Sequence, residues 1–468
     1  MAATEGLFAG FGRLIRSPAF KLVLIGFLVL LLAIPVFSVW ALVAERQSRS
    51  SDVEREVARS WGGVQSFAGP FLIVPYTVKL PTQPGANKTI EGTIDRIALF
   101  LPDRLDVSAK TASQVLHRSI YEVPVYTAEL AARGHFDAPD MSLVAPDVVA
   151  VHWSDAALAL GLSDVAGLKQ ASKLKIAGRG EAGFEPSIGV AASNMNGIHA
   201  RLIDVKPVVP GAPPPAGVPA AFDFEFTLGF SGSSAIDFSP VARETAVTLA
   251  SDWPSPSFSG AFLPAAREIS KDGFTAAWKV PHLARSVPQA WGADAQDVNL
   301  GRLDAYRFGA NLYVPVDFYD LVSRAMKYGL MFPLVSFMAV FIMETLSRTR
   351  LHPVQYFFTG LALVMFFVLV LSLSEHIGFA AAYVLAALAT SLLVAGYVWR
   401  AIGSAAKGGI MLAVLLILYG LLYLILRLED YALLAGALAG FVMLAAAMFL
   451  TLGIDWSGGG KAAEPATN

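Results

Sequence analysis

Six apolar stretches without a charge set what this chain can become, one near its start and five in its last third. Leu22–Ala44 runs for 23 residues, about 35 Å as a helix against a hydrocarbon layer of about 30 Å. Residues 45–327 then carry charges throughout. The apolar pattern returns in Tyr328–Met343, Tyr356–Ser374, Ile377–Trp399, Gly408–Leu426 and Tyr431–Ile454. Each of these is 16–24 residues long, the length of a membrane-spanning helix, with the first at the short limit. Backbone polar groups find no partner in lipid except one another, so such runs must be helical there. Only 15% of the chain is charged, against about 25% in a soluble domain. The first apolar run is far longer than the roughly 7–15 residues of a signal-peptide core. Its end, Ala41-Leu42-Val43-Ala44, is a poor cleavage site, so an uncleaved anchor is expected, kinked at Pro35.

Lys and Arg in the short connections orient the spans. With a cytoplasmic N-terminus, Arg13, Arg16, Lys21, Arg348, Arg350, Arg400, Lys407 and Lys461 lie inside and only Arg427 lies in a short outer loop. Six spans then return the C-terminus to the cytoplasm. The expected layout is a cytoplasmic segment 1–21, a first span 22–44, a periplasmic domain 45–327, a five-helix bundle 328–454 and a cytoplasmic tail 455–468.

The middle segment holds 26 basic and 30 acidic residues, a mildly acidic balance. Glu45–Trp61 has helical spacing and is expected to prolong the first span. Beyond Gly62-Gly63 the pattern turns to strands: Phe71–Tyr76, Ile94–Leu101, Val144–Trp153, Ile198–Val205, Ala246–Trp253 and Phe274–Val280. In Phe222–Phe230 every second residue is apolar, so five side chains should line one face of a half-buried sheet. Asp155–Leu168 is the best helical candidate, and the six prolines of Pro207–Pro219 mark an extended connection. The fold class is therefore an α+β membrane protein with six transmembrane helices, one N-terminal and five C-terminal, and a large β-rich extracytoplasmic domain of sandwich type.

A resemblance emerges around the entry to the bundle. Asn311–Tyr319 leads into Arg324-Ala325-Met326-Lys327-Tyr328-Gly329, followed by His352-Pro353-Val354-Gln355-Tyr356, Ser372–Phe379 and Glu429–Leu434. Earlier, Arg59-Ser60-Trp61-Gly62-Gly63-Val64-Gln65 precedes Gly69-Pro70 and Val74-Pro75-Tyr76. In this order, and with this number of spans, the chain resembles the CreD family of bacterial inner-membrane proteins over nearly its whole length. It departs from the family at the end, where Thr451–Trp456 stands in place of basic residues. The resemblance implies a role in cell-envelope integrity, tolerance to colicins and expression under a two-component sensor. It implies no reaction.

The residues themselves offer little catalytic chemistry. Absence of cysteine excludes a disulfide scaffold, a thiol enzyme and Cys-ligated zinc or iron–sulfur sites. A net charge of −2 gives no global basic surface for nucleic acid. No G-x-S-x-G elbow occurs. The seven histidines lack the spacing of a zinc-binding helix, and Ser172-x-x-Lys175 and Ser404-x-x-Lys407 stand without companion motifs. Gly178–Gly183 matches G-x-G-x-x-G, but Pro186 follows where a helix should open, so a Gly-rich strand connection is expected. No cofactor or metal is expected, and the partners expected are membrane lipids and other envelope proteins.

The candidate functional groups are Glu375, His376, Arg324 and Lys327. Glu375-His376, at the outer end of the third span, has the vocabulary of proton handling, set against a simple interfacial role. Arg324 and Lys327, with Asp317 and Asp320, form a charged collar at the outer mouth of the second span, open to anionic lipid or glycan groups. Glu344 is placed to pair with Arg348 four residues on. His352-Pro353 should start a helix. Gly436-x-x-x-Gly440 should allow close packing inside the bundle.

Overall fold

The computed structural model describes residues 18–79, 92–170, 173–190, 196–202, 220–294, 301–312, 318–347, 349, 351–428 and 431–452. Two compact units divide the chain. One comprises Met1–Ser50 with Val316–Asn468, the other Ser51–Pro315.

The helical unit contains most of α1 (Pro18–Trp61), then α2 (Phe318–Met326), α3 (Met331–Ser347), α4 (Pro353–Ile377), α5 (Phe379–Ile402), α6 (Ala405–Arg427) and α7 (Ala432–Thr451). Five of the described helices are long and apolar enough to cross a membrane, and α2 with α3, bent by 46°, makes a sixth crossing if the pair is one span. The charge-free stretch from Tyr328 takes in the bend of this pair, and α3 itself begins at Met331. Its third residue is Pro333, which has no N–H to give and suits a first turn. Tyr328 through Leu330 instead form the turn where the pair bends.

α1 runs unbroken through Pro35 to Trp61, so Glu45–Trp61 does continue the first span. Gly62 follows at φ +129, a conformation that favours glycine and stops the helix. Within the helical unit α1 buries one stripe: Ile25, Leu28, Leu32, Val36, Val39 and Val43. Val23, Phe27, Leu30, Ile34 and Phe37 on the other side are exposed, as lipid-facing residues are. Leu32 fills a notch at Gly360 of α4, where a Cβ would collide with its side chain, and Val36 lies against Gly329. His352 caps α4 and Pro353 opens it, as the sequence indicates. The middle of the bundle is filled by rings, with Tyr419 4.3 Å from Phe366 and 4.8 Å from Phe332.

The second unit is two mixed sheets around one core. Its strands are β1 (Gln65–Lys79), β2 (Thr93–Phe100), β3 (Arg104–Arg118), β4 (Tyr121–Phe136), β5 (Val148–Val151), β6 (Ala157–Leu162), β7 (Lys173–Ile176), β8 (Gly180–Gly183) and β9 (Glu185–Pro186). They continue with β10 (Gly197–Arg201), β11 (Phe222–Ser233), β12 (Ala235–Phe238), β13 (Glu244–Ser251), β14 (Pro256–Gly260), β15 (Ala266–Ser270), β16 (Gly273–Pro281), β17 (Ala290–Ala293) and β18 (Phe308–Leu312). The ten-stranded sheet follows the order β14-β18-β12-β1-β6-β10-β9, with β2 and β5 pairing opposite edges of the second half of β1 and β17 pairing β2, and the eight-stranded sheet follows β15-β16-β13-β3-β4-β11-β7-β8.

Alternation explains the packing. Phe222, Phe224, Phe226, Leu228 and Phe230 of β11 are all buried while Asp223, Glu225 and Thr227 are exposed. Phe136 stacks on Phe222 at 5.3 Å, and Phe67 of β1 meets Phe230 of the other sheet at 4.7 Å. Burying such rings contributes about 1.5–3 kcal/mol each.

One expectation fails. Asp155–Leu168 is not a helix but β6 between two single turns. All six residues of β6 are buried between β1 and β10, and a segment buried on every side shows no periodicity that separates helix from strand. Gly178–Gly183 is the turn and second strand of the β7–β8 hairpin, a strand connection as expected. Pro207–Pro219, Ser172, Arg348 and Asp317 lie outside the described residues.

Candidate functional site

Polar groups gather at both ends of the helical unit. At the C-terminal end of α4, the Glu375 side chain is 9% exposed. Its Oε1 accepts a hydrogen bond from the Tyr319 hydroxyl of α2 at 3.2 Å and faces Arg46 Nη1 of α1 at 3.8 Å. One residue along each helix, Gln47 Nε2 donates to Asp320 Oδ1 at 2.9 Å. Glu375 and His376 are neighbours in sequence but part company here, since His376 is exposed. Helical geometry requires it: consecutive residues point about 100° apart. Arg324 is half-buried and Lys327 exposed. The structure thus brings Glu375 together with α1 and α2, while His376 faces outward from them. An acid held by a guanidinium and a phenol is equipped to fix helices relative to one another.

At the opposite end, near the start of α1, stands Glu344, with a side chain 5% exposed. Lys21 Nζ of α1 donates to its Oε1, as does the Leu351 backbone N–H at 2.9 Å, and the Tyr356 hydroxyl donates to Oε2 at 2.8 Å. The expected partner, Arg348, lies outside the described residues. The pairing with Lys21, 323 positions away, was missed by local spacing. A signal was available: a carboxylate at the end of an apolar helix needs a cation, and Lys21 opens the one apolar run that is distant in sequence. Close by, Lys407 Nζ donates to the Ser347 hydroxyl. Gly436 packs on the Tyr328 ring, while nothing lies within 4 Å of a Cβ at Gly440.

The β unit carries its polar groups on the outer face of the eight-stranded sheet. Two open grooves of 570 Å³ and 670 Å³ share Arg104, His135 and Asp223 as lining. Strand register places Asp106, Arg133, Glu225, Lys175 and Glu181 side by side across neighbouring strands, an alternation of charge. His135 Nδ1 lies 2.7 Å from Asp223 Oδ1, and Arg243 Nε donates to Asp103 Oδ1 at 2.8 Å. Opposite charges across strands each contribute about 0.2–1 kcal/mol. The face is internally neutralised. Elsewhere in the unit the buried Arg285 and the half-buried Asp237 are held differently. Arg285 donates to the Val241 and Val287 carbonyls and to Gln289 Oε1 at 2.7–2.9 Å, and burial pushes its guanidinium down to about 10. Asp237 is pushed above the usual carboxylate range by burial, with Arg307 partly offsetting. No group of three or more His, Cys, Asp or Glu that could hold a metal occurs among the described residues.

One apolar N-terminal helix, a large two-sheet unit and a C-terminal set of apolar helices form the pattern to compare with known proteins. The family model described as inner membrane protein CreD matches residues 17–457. The chain belongs to the CreD family. Inner membrane protein CreD of Escherichia coli (strain K12) is 32% identical over 445 residues, covering 95% of each chain. A CreD-family chain with this set of apolar helices is a multi-pass inner-membrane protein. The match spans both units, so the polar ends of the helical unit and the charged sheet face both lie within CreD sequence.

Proposed function

We propose that the protein is a non-enzymatic component of the inner membrane that supports cell-envelope integrity or the response to envelope stress. Both termini lie in the cytoplasm and the β unit lies in the periplasm. Its partners are membrane lipids and other envelope proteins. The observation that carries this reading is the form of the β unit: two packed sheets around one apolar core, with opposite charges set side by side across neighbouring strands of the outer face. Membership in the CreD family supports the same reading. Eight basic residues against one across the short connections support the orientation.

A transporter of an envelope lipid or glycan precursor is the competing reading. Rings of Phe332, Phe366, Tyr383 and Tyr419 pack against one another in the bundle, where such a path would run. This favours a closed anchor.

The test is complementation of a deletion strain under detergent or colicin challenge. Glu375→Ala, His376→Ala, Arg324→Ala and Lys327→Ala should each change survival no more than they change the amount of protein in the membrane. Complete loss of protection at normal abundance would refute a purely structural role for the altered residue. Alkaline phosphatase fused within residues 207–219 should be active, and an inactive fusion would overturn the orientation.

A further inference from the structure

The outward face of the eight-stranded sheet is ordered in rows that cross its strands. In one row Asp106 of β3, Arg133 of β4, Glu225 of β11 and Lys175 of β7 stand side by side. One row further along β4, His135 stands beside Asp223 of β11. On the opposite flank of the charged row, Ser108, Ala131 and Thr227 form a row of small exposed side chains. Sign alternates along the charged row. In both polar rows the basic group sits on β4 and the acid on β11.

Such a pattern is its own complement. A two-fold axis laid along the line between β4 and β11 exchanges those two strands, and likewise β3 with β7. On a second copy turned over by that axis, Arg133 faces Glu225, His135 faces Asp223 and Asp106 faces Lys175, each pair occurring twice. An interface between identical patches requires this, because each patch must be complementary to itself. Within one chain the charged row is loosely tied. Arg133 Nε lies 3.7 Å from Asp106 Oδ2, with the Arg133 side chain 78% exposed. Neither Glu225 nor Lys175 has an ion-pair partner among the described residues. The axis supplies one to each.

We infer that this face docks a second copy of the chain, sheet on sheet, with β4 of each copy over β11 of the other. The small row lets the two faces approach to about 10 Å, the usual spacing of packed sheets. Six overlapping strands, β13 to β8, and three rows make a patch of roughly 29 Å by 20 Å, or about 1,200 Å² over both copies. A specific interface needs about 1,000 Å². The inference goes beyond the proposed envelope role, which does not depend on self-association.

The chain has no cysteine, so an introduced one is its sole thiol. Full-length Ala131→Cys in mild detergent, treated with a two-armed maleimide reagent of about 10 Å reach, should give a cross-linked dimer. Ala150→Cys, exposed on β5 of the other sheet, should not. Arg133→Glu and Glu225→Arg, each added to Ala131→Cys, set like charges face to face and should each lower the yield about tenfold. Mixed in equal amounts with different tags, these two variants should recover the dimer as a product carrying both tags. Pairing within one chain cannot produce that recovery. If either variant does not accumulate, Asp106→Lys mixed with Lys175→Glu applies the same logic. Absence of a dimer from Ala131→Cys, an equal yield from Ala150→Cys, or a mixture no better than its parts overturns the proposal. So does a product joined to a different envelope protein, in place of the dimer, when the reagent is applied to inner-membrane vesicles. The readout is association of the chain with itself, so failure here leaves the proposed function standing.

Discussion

The two units bury the same kinds of side chain by opposite rules. In the β unit alternation sends one face of each strand into the core and turns the charged face outward, so that Phe226 is buried and Glu225 beside it exposed. In the helical unit apolar residues stand on both sides of a helix. Phe441 of α7 is 71% exposed while Tyr419 of α6 is 1% exposed. Burial inside the protein decides stability where the alternative is water, and decides little where the alternative is lipid.

Paired substitutions break or sharpen that contrast. Phe226→Ala should destabilise the β unit by about 3–5 kcal/mol, read by chemical denaturation of the full-length protein in detergent. Phe441→Ala, of equal volume change on a lipid-facing surface, should leave stability almost unchanged in vesicles; a comparable loss would mean that α7 packs on a partner there. Next in size, Arg285→Ala leaves buried carbonyls without donors and should cost about 2–4 kcal/mol. Glu344→Ala should cost about 1–3 kcal/mol, less than a fully buried pair because Lys21 reaches solvent. This is checked by thermal unfolding in native lipid.

The smallest effect has a pH signature. Burial raises the Asp237 carboxyl above its unfolded value. Such a group adds stability in acid that is lost as pH rises through its folded pKa. Asp237→Asn should therefore raise the melting temperature at neutral pH, and the gain should vanish below about pH 4. A gain independent of pH would show that packing, not charge, is responsible.

Legibility in the sequence followed the same division. Long apolar runs announced the crossings because lipid enforces helix, and β11 announced itself through strict alternation. The hairpin of β3 and β4 stayed hidden. Arg104–Arg118 offers small inward residues such as Ala109 and Thr111, and its turn carries Ser119 at φ +57 rather than a glycine signal. β6 was misread because full burial erases periodicity. Of the candidate groups, Glu375 was legible as a polar residue at a helix end, but its partners Arg46 and Tyr319 come from segments 329 and 56 positions away.

The sequence by itself determined the membrane crossings, the family and the β character of the middle segment. Each depends on the local exchange of water for lipid or core, which residue order records. Tertiary structure alone decided which strands became neighbours, and which cation answered Glu344 and which Glu375. Those choices depend on long-range closure of the chain, and a charge carries no mark of the partner it will meet.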